Sequence, residues 1–286
     1  MLEMLINPRK AERKPWELFF VGLFYGAISL LLVHWVFSSD PVLSKYSGIL
    51  VVTFTVMFSM PFVYYTIKLE ESKITDDKDN MSLLKEHRHA IYVFLWLFVG
   101  YVVAFSALYM VLPSTDGFKA QIETYCLINQ KANFDRCVSQ YTATLDNSPT
   151  GASVNQKERF FMIFSNNMSV LIFTLVFSLI FGAGAIFILA WNASVIAAAV
   201  GIFMRSDFGT FPIALGRYFI HGIPEVAAYF MVALAGGIIS VAVIKHEAGT
   251  EKFWEVLQDS LNIIVAAVIT LVIAAVIEVF ITPVLF

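Results

Sequence analysis

Charged side chains are scarce in this sequence, 14% of 286 residues against about 25% in an ordinary soluble domain. So few charges cannot clothe a water-facing surface around a stock that is 58% apolar. The net charge of −3, with no basic patch interleaved with aromatics, lacks the electrostatic footprint of a nucleic-acid binder, so no nucleic acid is expected as a partner. Cysteine is scarcer still. Cys126 and Cys137 are the only two, which allows one internal disulfide and no Cys-x-x-Cys or Cys/His zinc arrangement. Also missing are His-Glu-x-x-His, the Gly-x-Ser-x-Gly elbow, the phosphate loop and the dinucleotide glycine fingerprint. No cofactor or metal is implied, and an enzymatic role is the least supported.

What the sequence does contain is long apolar runs and 27 Phe, a surplus tolerated where lipid is the solvent. About 20 residues at 1.5 Å each cross a hydrocarbon core of roughly 30 Å. Runs at 16–37, 47–69, 90–112, 168–191, 213–244 and 261–286 meet that length. A shorter run at 193–204 suits a thin helix or a re-entrant segment. The expected fold is therefore all-α, a polytopic transmembrane helical bundle of six or seven spans, seven being preferred. Three regions are expected: a three-span membrane region at 1–112, a polar exported loop at 113–158, and a second membrane region at 159–286.

Basic residues set the expected orientation. The stretch Asn7-Pro8-Arg9-Lys10-Ala11-Glu12-Arg13-Lys14-Pro15 precedes the first span, and the loop at 70–89 carries Lys73, Lys78, Lys85 and Arg88. Positive charge favours the cytoplasmic side, which places both there and makes this a multi-pass protein of the cell membrane with a cytoplasmic N-terminus. The loop at 113–158 then lies outside, where a Cys126–Cys137 disulfide can persist.

Polar residues inside spans carry the functional information, because an unpaired one in lipid costs several kcal/mol. Asn166, Asn167, Asn192, Arg217, His221 and Glu225 form the candidate polar cluster, with His221 and Glu225 four apart on one helical face. Pro224 suits the first turn of a helix, so a helix start near it is expected. Glu278 and His34 read as residues of the membrane interface.

With these residues in view, the stretch at 160–246 resembles the stage II sporulation protein M family of integral membrane proteins. The resemblance rests on Phe164-Ser165-Asn166-Asn167, Gly182 and Gly184, Asn192, His221-Gly222-Ile223-Pro224-Glu225 and Ala235-Gly236-Gly237, in that order. Ala193 stands where the family commonly has glycine. The resemblance implies a membrane-embedded organiser with no catalysis of its own, since the family's namesake works with cell-wall-degrading partners during engulfment. The expected partners are membrane lipids and other membrane or envelope proteins, and self-association is open. Two other classes stay in view: a transporter or channel using a polar site around His221 and Glu225, and an intramembrane metal-dependent enzyme.

Overall fold

The computed structural model describes residues 13–37, 40, 42–76, 83–112, 116–129, 133–142, 156–181, 186–204, 209, 211–244 and 249–285. The basic stretch up to Glu12, the glycines at 182 and 184, and Lys245 lie outside them. Among the described residues there are helices and no strand. Lipid offers backbone groups no hydrogen-bond partner, so an apolar span must satisfy its own, which a helix does.

Seven long helices make the bundle: α1 (Leu18–Phe37), α2 (Ser47–Asp76), α3 (Leu83–Val111), then, after two short helices α4 (Lys119–Asn129) and α5 (Phe134–Thr142), α6 (Gln156–Phe181), α7 (Ile186–Met204), α8 (Phe211–Ile244) and α9 (Glu251–Val276). The last continues through a π-helical turn, Ile277–Ile281, into a final turn, α10 (Thr282–Leu285). Six of these helices are long and apolar enough to cross a membrane, and a shorter apolar helix covers Ile186–Ile202.

The short helix of the sequence reading therefore exists, but it begins at Ile186, and the expected span at 168–191 is two helices. The first helix ends at Phe181 and the second begins at Ile186, so the boundary does not fall at Asn192. Asn192 lies within α7, where its Nδ2 donates to the Ile188 carbonyl at 2.7 Å, so the amide is satisfied without ending the helix.

Side-chain pairings give the helix directions. Asn167 meets Glu225 and Ser178 meets the Ala233 carbonyl, so α6 and α8 run parallel. The chain between them must return to its starting side, and α7 makes that return. It runs beside α3, from Ile186 and Leu189 near Phe94 to Gly201 against the Tyr109 ring. Its 19 residues rise about 28 Å. With the six long apolar helices, seven helices thus traverse the bundle.

Packing is closest where side chains vanish. A Cβ on Gly22 would sit 2.1 Å from the Leu97 carbonyl oxygen, and one on Gly100 would sit 2.3 Å from that of Phe19. These two glycines let α1 and α3 touch backbone to backbone, the small-residue contact by which membrane helices gain dispersion energy. The most buried helix is α8, with 72% of its spanning segment covered, against 17% for α6 at the rim.

On the side where α3 ends, α4 and α5 form a hairpin closed by the expected disulfide, Cys126–Cys137, with Cα atoms 5.7 Å apart and both residues fully buried. Gln121 keys the hairpin into the bundle. Its Nε2 donates to the Gly48 carbonyl at 2.9 Å and to Ser194 Oγ at 3.1 Å, joining α4 to α2 and α7.

Candidate functional site

The polar residues of the second half line up because α8 carries three of them on one face. Arg217, His221 and Glu225 are spaced by four, so they descend α8 from the hairpin side as a stripe about 12 Å long. The helix does not start near Pro224 as expected. It starts at Phe211, with Pro212 in its first turn, and runs through Pro224. The packing of α8 on its neighbours outweighs the lost donor, and the proline ring leaves the Ile220 carbonyl without its usual partner.

At the foot of the stripe, Asn167 Nδ2 donates to Glu225 Oε1 at 2.5 Å. Asn166, exposed on α6, donates a longer 3.4 Å contact to Asn167 Oδ1. Glu278 arrives from the π-helical turn, and its carboxyl is hydrogen-bonded to that of Glu225. The two carboxyls, one from α8 and one from the end of α9, thus face each other across the helix pair. The extra residue of a π turn widens the helix locally, a geometry that recurs at functional sites.

One turn nearer the hairpin, His221 Nδ1 lies 3.3 Å from Thr282 Oγ1, while Thr282 Oγ1 donates to the Ile277 carbonyl at 3.2 Å. Arg159 and Arg217 are within electrostatic reach of His221, and Tyr218 is hydrogen-bonded to Tyr125 of α4. The lane is thus tied to the disulfide hairpin.

Asn166, Asn167 and Glu225 form one connected chain of contacts. His221 bonds to Thr282, and Arg217 lies above it on the same face. Asn192 sits on α7, bonded to its own helix. Glu278 is not an interface residue. It and Thr282 join the lane, and a signal for them was present: Glu278 and Thr282 are spaced by four, matching His221 and Glu225 on an antiparallel neighbour. Among the described residues no three His, Cys, Asp or Glu side chains come together as a metal cage.

Below Glu225 the lane ends in packed side chains. Val226, Ala228, Tyr229, Phe230, Val232, Leu234 and Ala235 are all buried, and Phe230 stacks on Phe94 with ring centroids 5.3 Å apart. The arrangement is a polar lane of side chains that begins on the hairpin side and ends, below Glu225, in packed apolar ones.

Comparison with curated proteins and with solved structures finds no match. The family comparison does, and it reaches far beyond the stretch that carries the resemblance in the sequence. It takes in the three N-terminal spans and the hairpin as well as the lane. Because the match runs over residues 17–283, the chain belongs to the stage II sporulation protein M family of membrane proteins.

Proposed function

We propose that this protein is a non-catalytic membrane scaffold of the cell membrane, with a cytoplasmic N-terminus, that holds other membrane or envelope proteins through its spans and its external hairpin. The observation that carries this reading is the closure of the polar lane. The carboxyl pair at its foot is hydrogen-bonded to Asn167, and a packed apolar block separates it from the opposite side. A lane of that kind holds three helices in register and offers no continuous polar path for a solute. The family supports the same reading, since its namesake acts as an organiser. The hairpin supports it too, being stapled by a disulfide and keyed to α2 and α7 by Gln121. A rigid exported platform suits recognition.

One observation favours a second reading. Two carboxyls that face each other within a span, Glu225 and Glu278, are the kind of group used in proton-coupled transport. The two readings separate in one experiment. Proteins cross-linked to the chain in intact cells are recovered with wild type and with the Cys126→Ser/Cys137→Ser variant. The scaffold reading expects discrete envelope or membrane partners whose recovery falls at least severalfold in the variant, while the bundle still purifies folded. A Glu225-dependent proton flux in proteoliposomes, with no partner recovered, would replace it by the second.

A further inference from the structure

The least covered helix of the bundle, α6, carries polar groups on its uncovered side. Its buried face is Asn167, Leu171, Thr174 and Ser178, the positions that meet α8. Ser165, Asn166 and Ser169 are exposed on other faces, in the middle third of the helix, among exposed Phe161, Met162, Ile172 and Phe173. Ser169 Oγ donates to the Ser165 carbonyl at 2.9 Å, so that hydroxyl's proton is satisfied within the helix. Asn166 is different. Its one contact among the described residues is the 3.4 Å bond to Asn167, which uses one N–H and leaves the second N–H and the carbonyl oxygen turned outward. Lipid tails can answer neither group, and an unanswered amide in hydrocarbon costs several kcal/mol.

We propose that α6 is the interface at which two copies of this chain associate in the membrane. The hydrogen-bonding complement of Asn166 names the occupant. A twofold axis along the membrane normal sets two α6 helices parallel, so identical residues meet at identical depth, as in an isologous interface. An amide is both donor and acceptor, hence Asn166 of each copy answers both open groups of the other with two reciprocal hydrogen bonds. Ser165 and Ser169, small residues one turn apart, allow the close approach this requires, and the exposed Phe and Met side chains beside them supply the surrounding apolar contact. An apolar partner helix would leave the amides unanswered. The inference stands apart from the scaffold reading, because a dimer could equally be a transporter.

The test uses the full chain in lipid vesicles, with the native disulfide intact. Ser169→Cys is expected to oxidise to a covalent product of twice the chain mass, whereas Ile269→Cys, exposed on α9, is not. By single-molecule photobleaching, Asn166→Leu should weaken association about tenfold, and Asn166→Gln, which keeps the amide, should restore most of it. Equal cross-linking at both cysteines would overturn the proposal. So would wild-type copies that stay monomeric, or a Ser169→Cys adduct in native membranes with the mass of a different protein. The cysteine cross-link retains Asn166, so it remains decisive even if Asn166→Leu folds poorly.

Discussion

Glu225 shows how a single side chain organises its surroundings. It accepts from Asn167 and shares a hydrogen bond with Glu278, so its replacement tests both neighbours at once. In Glu225→Gln, the amide oxygen can still accept from Asn167 and the amide nitrogen can donate to Glu278, so thermal stability in detergent should stay close to wild type. In Glu225→Leu, both neighbours lose their partner in a place water does not reach, at about 1–3 kcal/mol for each group. The expected result is a clear drop in melting temperature for Leu alone. Equal losses for both variants would mean that the charge itself, and not the hydrogen bonding, holds the site together. The partners of this residue were only half legible in the sequence. Asn167 was in the candidate set because an amide inside an apolar run demands an explanation, whereas Glu278 lies near the chain end, where an interfacial position is the simpler expectation.

At the scale of elements, the bundle depends on helix pairs that meet at glycine. The α1–α3 contact has no room for a methyl group, since a Cβ on Gly22 would fall inside the contact distance of a backbone oxygen and no side-chain rotation could relieve it. Gly22→Ala should therefore push the two helices apart and cost about 1–3 kcal/mol, read as a lower melting temperature in detergent. Gly222→Ala provides the contrast. Its Cβ would meet no atom within 4 Å, so no loss of stability is expected there. Sequence patterning reveals that these helices exist but not which glycines are contact points, because the apolar flanks of Gly22 and Gly100 do not say which helix faces them. The same limit explains the misplaced boundary between α6 and α7. α6 is apolar up to Phe181 and α7 is apolar from Ile186, so hydropathy does not mark the boundary between them.

For the whole molecule, the parallel pairing of α6 with α8 decides the number of crossings. Seven crossings put the chain termini on opposite sides of the membrane. Epitope tags at the two ends, probed by protease on sealed vesicles of known orientation, should be protected on opposite faces. Tags accessible from the same face would mean that α7 does not traverse, despite its alignment with α3 from Phe94 to Tyr109. The polar stripe of α8 starts on the hairpin side, where Tyr125 of the hairpin is hydrogen-bonded to Tyr218 of α8.

Composition and hydropathy by themselves determined that the chain lives in a membrane as a helical bundle, because no other solvent accepts so many apolar side chains and no other secondary structure satisfies the backbone of each single span there. The two cysteines, in one polar segment between spans, were enough to foresee their disulfide. The meeting of Glu225 with Glu278, of His221 with Thr282, and of Gly22 with the α3 backbone was decided only by the tertiary structure. Each joins helices distant along the chain, and lipid exerts no preference among apolar faces, so the choice of which faces meet rests on close packing and on the few polar groups that must find one another.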